Sequence, residues 1–169
     1  MANNCYYEMK IRGSHSSCEE WVRRMKRNGK SNDFCRIFSV DIFEEGKCDG
    51  LYYMMLCGDC AWSLDTCCRA SGYPGVDLFS INTKELNLTM EAYSEECGIG
   101  FQEHYVYIKG KRITEECVDW TEYYWDKSDY KTFEEYKHDL DLPDYITEKL
   151  FDEDGYYHEG GFGEWNFFD

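Results

Sequence analysis

Apolar and polar residues alternate through YYEMKIR (6–12). Tyr7, Met9 and Ile11 fall on one side, and Glu8, Lys10 and Arg12 on the other. A period of two predicts a half-buried strand, which Gly13 ends. The period then changes. In SCEEWVRRMKRNG (17–29), Cys18, Trp21, Val22 and Met25 recur at spacings of three and four, one face of a helix. Ser17 and Glu20 read as a capping-box pair, and Gly29 as the residue just past the helix end. The outer face of this helix carries Arg23, Arg24, Lys26 and Arg27, the chain's one basic cluster.

Further on, FCRIFSVDIF (34–43) and GLYYMMLC (50–57) predict two strands joined by a short acidic turn, and CAWSLDTCCRASG (60–72) a short helix ending near Gly72. LNLTMEAY (86–93) alternates again, with Leu86, Leu88, Met90 and Ala92 inward. FQEHYVYIKGKRI (101–113) predicts a hairpin turning at Lys109-Gly110. TFEEYKHDL (132–140) predicts a helix with a Thr132–Glu135 capping box and an apolar face of Phe133, Tyr136 and Leu140. The tail DEDGYYHEGGFGEWNFFD (152–169) reads as a loop followed by an extended segment docked by its rings. No internal repeat is evident. The order strand, helix, strand, strand, helix, strand, strand predicts an α+β fold. Its simplest version is a ferredoxin-like antiparallel sheet over residues 1–113, with helices on one face. Residues 114–169 are expected to form an acidic, aromatic-rich C-terminal extension packed on it.

Charge sharpens that division. The 169 residues carry a net charge of −16. Residues 1–90 hold 11 Lys/Arg and 12 Asp/Glu, a net of −1; residues 91–169 hold 7 and 22, a net of −15. Direct binding of nucleic acid by the second half is disfavoured by repulsion from phosphates, and a basic protein surface is its natural partner. Hydrophobic content of 43% argues against disorder. No apolar run is long enough to span a membrane, and the N-terminus lacks the pattern of an export signal, so a cytoplasmic location is expected. In that compartment the 10 cysteines are expected to be reduced thiols.

Candidate chemistry is sparse. Cys57-Gly58-Asp59-Cys60 is a CxxC between an expected strand and an expected helix, a placement that lowers thiol pKa in redox sites. With Cys67 and Cys68 it offers four sulfurs for zinc, although the adjacent pair reaches one metal only with an awkward backbone. A cysteine-based metal-binding or redox protein is therefore the alternative reading. Glu103 and His104 are strand neighbours and point to opposite faces, which separates them as an acid–base pair. Asp152–Gly155 supplies only part of a calcium loop. No nucleophile elbow, HExxH or phosphate loop is present, and no cofactor is expected.

The opening MANNCYYEMKIRGS, the central GDCAWSLDTCC, the segment YSEECGIGFQEHY and the stretch GGFGEW resemble a family of ferredoxin-like proteins of phages, plasmids and other mobile elements, called Api92-like or YubB-like. Where family members carry Trp-Cys and Trp-Gly-Thr-Lys-Trp stretches, this chain has Asn4-Cys5 and Gly58-Asp59-Cys60-Ala61-Trp62, which marks a divergent branch. The resemblance implies a fold and a mobile-element context, and no catalytic residue.

Within that context, DWTEYYWDKSDYKTFEEY (119–136) carries six carboxylates and seven rings among eighteen residues. Carboxylates at irregular spacing stand where phosphates would stand in a basic groove, and tyrosine and tryptophan make interface anchors. The expectation is a non-enzymatic inhibitor: a possible anti-CRISPR protein that docks on a host CRISPR effector nuclease such as Cas9. Glu115, Glu116, Asp119, Glu122, Asp126, Asp129, Glu134, Glu135, Asp139, Asp141, Asp152, Glu153 and Asp154 would supply charge. Trp120, Tyr123, Tyr124, Trp125 and Tyr130 would be the contact anchors. Any nucleic-acid contact would be weak or indirect, through Arg23, Arg24, Lys26 and Arg27, which more simply form a solvated face.

Overall fold

The alternation at the N-terminus becomes β1 (Asn4–Gly13), with Cys5, Tyr7, Met9 and Ile11 buried on one side. The computed structural model describes residues 4–27, 33–69, 72, 75–96, 100–119, 124–142 and 146–155. After β1 come α1 (His15–Arg27), β2 (Asp41–Cys48), β3 (Leu51–Ala61), α2 (Leu64–Cys68), α3 (Leu78–Glu85), β4 (Thr89–Glu96), β5 (Phe101–Ile108), β6 (Lys111–Asp119) and α4 (Phe133–Asp139). The strands form one antiparallel sheet in the order β2-β3-β1-β4-β5-β6. The class is α+β.

Two connections cross over a strand. The chain leaves β1, runs through α1 and returns as β2, beyond β3; it leaves β3, runs through α2 and α3 and returns as β4, beyond β1. Helices α1, α2 and α3 cover the same sheet face. Their Trp21, Met25, Leu64, Leu78 and Phe79 share one core with Tyr7, Met9, Leu56, Met90, Tyr105 and Tyr107 of the strands. Trp21 stacks parallel to Phe79 at 6.4 Å and donates its indole N–H to Met9 Sδ at 3.2 Å.

Several boundaries differ from the sequence expectations. Helix α1 starts earlier: Ser14 Oγ accepts the Ser17 N–H at 3.1 Å, and Glu20 turns to Arg23, Arg24 and Arg27 instead of forming a box with Ser17. Residues 34–40 are not a strand. Phe34, Ile37 and Val40 are buried at a spacing of three, while the backbone runs along β3 with one isolated bridge, Ile37–Cys60, and Phe38 N–H bonds Asp59 O at 2.8 Å. Gly58 permits this close approach, because a Cβ there would lie 2.1 Å from Ser39 O. The strand comes later, at 41–48, and turns at Asp49-Gly50, both with positive φ. The turn at Lys109-Gly110 falls where expected. Strand β6 runs on to Asp119, so the expected division at 113/114 falls inside a strand. Leu140 is 45% exposed and caps α4 instead of joining its buried face.

Helix α3 has no counterpart in the sequence reading. Asp77 caps it by accepting the Ser80 N–H at 2.9 Å. Two of its buried residues, Asn82 and Thr83, are polar and satisfied within the helix, by Leu78 O at 2.8 Å and Phe79 O at 2.6 Å. Back-bonding of this kind buries polar residues without an apolar stripe.

The other sheet face is partly covered by the C-terminal segment. Trp125, Phe133, Tyr136, Leu142, Ile146 and Phe151 form a second apolar cluster with Tyr93 of β4, a residue that points away from the helices. The reading of 156–169 as a docked extended segment, and of Gly29 as a helix stop, lies outside the described residues.

Candidate functional site

The C-terminal segment sorts its residues by type. Trp125 is 6% exposed and ringed by Phe133, Tyr136 and Phe151. Its indole N–H donates to Tyr130 O at 3.3 Å and its backbone N–H to Gly155 O at 2.9 Å, tying both ends of the segment together. Thr132 and Glu135 form the expected capping box at the start of α4: Glu135 N–H donates to Thr132 Oγ1 and Thr132 N–H to Glu135 Oε2. Tyr130 OH reaches over to Asp139 at 2.6 Å. Asp126 accepts the Ser128 hydroxyl at 2.6 Å and the Ser128 N–H at 2.8 Å, which hold its carboxyl below the usual range.

With the rings inside, carboxylates are left outside. Asp129, Glu134, Glu135, Asp139, Asp141, Glu153 and Asp154 are exposed, and Asp126 and Asp152 are half-buried. Asp129, Tyr130, Lys131, Glu134, Glu135, His138 and Asp139 line a shallow depression of about 700 Å³. The cations nearby are few. Lys127 is committed to the Glu153 carbonyl at 2.7 Å and to the face of Trp125 at 4.8 Å.

The expected anchors and charges do not all reach this surface. Trp125 is a core residue of the segment, so it holds the acidic face together and offers no ring to a partner. Tyr130 is half-buried, and Tyr124 is 46% exposed. Asp119 closes β6 opposite Phe101. Trp120, Glu122 and Tyr123 lie outside the described residues. Glu115 and Glu116 belong to the sheet. Glu115 is paired with Arg69 and Arg112, and Glu116 lies 2.8 Å from His104 Nδ1. Reversing either charge would break internal pairs, so they are poor probes of a docking surface.

Two buried acidic clusters were missed in the sequence. On the covered face, His104 is 5% exposed and stacked on Tyr93 at 4.3 Å. Its Nε2 lies 2.9 Å from Oε1 of the fully buried Glu91, which also accepts the Tyr93 hydroxyl. Only an imidazolium donates to both Glu91 and Glu116 at once; a neutral ring needs a carboxyl proton for the second contact. On the helix side, Glu103 accepts the N–H groups of Leu64 and Asp65 at the start of α2 and the hydroxyls of Ser94 and Tyr105. Burial still pushes its carboxyl above the usual range. Glu103 and His104 do point to opposite faces. Alternation places them there but does not show that both faces are closed.

The cysteine chemistry is corrected. Cys57 and Cys60 both sit inside β3, three residues apart, and so project from opposite faces of the sheet. They cannot share a disulfide or a metal. Cys60 is buried beside Cys5 and Cys67, whose hydrogen bonds, with burial, push its thiol well above the ordinary range. Cys68 is pushed up by burial. The set Cys57, Cys60, Cys67 and Cys68 does not converge, and among the described residues no group of His, Cys, Asp or Glu is arranged to hold a metal. The basic cluster on α1 is largely neutralised: Arg23 pairs with Glu20, Arg24 with Glu20 and Glu85, and Arg27 with Glu20 and Asp33.

No protein-family model matches this chain, and no curated protein or solved structure matches it either. Among the described residues, no helix is long and apolar enough to cross a membrane.

Proposed function

We propose that this chain is a non-catalytic inhibitor from a mobile element, acting in the cytoplasm, whose C-terminal acidic face docks on the nucleic-acid channel of a host defence nuclease. A CRISPR effector such as Cas9 is the first target to test. The observation that carries the reading is the sorting in the C-terminal segment. Its rings are spent on holding the backbone, and Asp129, Glu134, Asp139, Glu153 and Asp154 stand in solvent on that ordered frame. Charges fixed on a packed segment lose little entropy on docking, and several together raise the association rate and make it fall with salt.

The strand order β2-β3-β1-β4 and the two crossovers support a ferredoxin-like βαββαβ reading of the first four strands, with β5 and β6 added at one edge. On the sequence resemblance alone, we also propose that the chain is a divergent Api92-like or YubB-like protein. The test is a variant that reverses only exposed carboxylates, Asp129→Lys/Glu134→Lys/Glu153→Lys/Asp154→Lys, compared with wild type for capture of Cas9 and for inhibition of DNA cleavage. Loss of both activities with an unchanged melting temperature is the expected result. Full inhibition by the variant would end the charge-mimic account.

A further inference from the structure

Three thiols meet in the helix-side core. Cys5 of β1, Cys60 of β3 and Cys67 of α2 are all fully buried there. Cys5 and Cys60 are directly opposed across the antiparallel pair β1–β3. Cys67 approaches from the helix layer: its Sγ lies 3.0 Å from the carbonyl oxygen of Ala61, the residue after Cys60. Cys60 is hydrogen-bonded through its side chain to both Cys5 and Cys67. The chain between 60 and 67 is a tight return. Trp62 takes a positive φ, Ser63 Oγ accepts the Thr66 N–H at 3.0 Å, and Ser63 O accepts the Cys67 N–H at 3.1 Å.

Two pairings are open to Cys60, and geometry separates them. Opposed strand residues hold their Cβ atoms about 4.5–5.5 Å apart, whereas a disulfide needs about 3.5–4.5 Å. Joining Cys5 to Cys60 would pinch β1 towards β3, and β1 is fixed by β4 on its other side. Cys67 sits on a helix of five residues, Leu64–Cys68, which can shift towards Cys60 without breaking a strand pair. The hydrogen bond from Cys60 also holds the Cys67 thiol below its ordinary range, and the thiolate is the form that oxidants meet.

We propose that Cys60 and Cys67 are an oxidisable pair, which hydrogen peroxide converts into a buried disulfide stapling the end of β3 to α2. The Cys67 thiolate attacks one peroxide oxygen, the O–O bond breaks, and Cys67 becomes a sulfenic acid while hydroxide leaves and takes up a proton. The Cys60 sulfur then displaces the sulfenic hydroxyl. The S–S bond forms, the S–O bond breaks, and the Cys60 proton leaves with the hydroxyl as water. Two thiols and one peroxide thus give one disulfide and two waters; the sulfurs lose the two electrons that the peroxide oxygens gain. Peroxide is little larger than water, and local opening of the short α2 admits it. Burial makes the bond conditional: the thiols stay reduced in a cytosol and close under oxidative challenge. The staple lies in the helix-side core and is independent of the acidic docking face.

The test treats the reduced full chain, in dilute solution, with hydrogen peroxide. Remaining thiols are then blocked with N-ethylmaleimide, and the chain is cut before Asp65 without reduction. Mass spectrometry is expected to find the fragments on either side of that cut joined, with fragmentation placing the bond between Cys60 and Cys67. The melting temperature of the treated chain should rise by roughly 5 °C or more and return on addition of dithiothreitol. Cys68→Ala should keep both the bond and the rise, and Cys67→Ala should lose both. A bond from Cys60 to Cys5 or Cys68 overturns the proposal. So does alkylation of both Cys60 and Cys67 in the unfolded chain after a peroxide dose that has fully oxidised the exposed Cys48, or an equal melting shift in wild type and Cys67→Ala.

Discussion

The two faces of this sheet are covered by different means. On one side three helices and the irregular 34–40 stretch bring Trp21, Phe34 and Phe79 into a continuous core with the strands. On the other, a segment containing one short helix lays six apolar side chains over Tyr93. The first core draws most of its residues from regular elements, and in β1, α1 and β4 the apolar face can be read at spacings of two, three and four. The second is built from residues interleaved with carboxylates, and its order appears only when the chain is folded back: rings turn inward and acids turn outward. The helix-side core therefore belongs to the global stability of the molecule, and the outer cluster to the ordering of one acidic surface.

That contrast can be broken by mutation. The largest effect is expected from Trp21→Ala, which removes a fully buried indole and its Met9 contact. A loss of about 3–5 kcal/mol in global stability is expected by chemical denaturation. A smaller and local effect is expected from Phe133→Ala. Phe133 touches Trp125, Tyr136 and Phe151, so the loss falls on the outer cluster. About 2–3 kcal/mol of local stability should vanish, and amide exchange should accelerate across 124–151 while β1, β3 and β4 keep their protection. Equal acceleration throughout the sheet would show that the two layers are one cooperative unit.

The next effect is in pH dependence. Burial raises the Glu103 carboxyl, so the folded state holds this proton more tightly than the unfolded chain does. Stability from this group is therefore present at acid pH and declines as pH climbs from the ordinary carboxylate value through the raised one. Glu103→Gln cannot ionise. Its melting temperature should fall less than that of wild type as pH rises above the ordinary carboxylate range, and an identical slope would remove Glu103 as the source.

What could be read from the sequence was what is local. The β1 alternation, the Lys109-Gly110 turn and the Thr132–Glu135 box depend on residues within a few positions, and each formed where expected. What escaped was set by distant neighbours. Residues 34–40 look like a strand but make one isolated bridge to β3, at Ile37–Cys60, with Ser39 O drawn close to Gly58. Helix α3 buries Asn82 and Thr83 by satisfying them itself. Glu91 and His104 look like surface residues, yet both are buried beside Tyr93, Glu91 accepting its hydroxyl and His104 stacking on its ring. The CxxC failed for the same reason: its meaning depended on where β3 ends, and β3 runs through it to Ala61. For the acidic surface, the residue types were legible and their division was not. Glu115 and Glu116 hold the sheet and Trp125 fills a core, while Asp129, Glu134, Glu153 and Asp154 remain exposed.

The smallest effect on stability and the largest on function should come from those last four residues. Each is exposed, so reversing them together should leave the melt nearly unchanged. The decisive measurement is the affinity of immobilised Cas9 for wild type and for Asp129→Lys/Glu134→Lys/Glu153→Lys/Asp154→Lys, each across a range of salt. The account predicts binding by wild type that weakens steeply with salt, and none by the folded variant. Equal binding by the two proteins, or wild-type binding indifferent to salt, would contradict it.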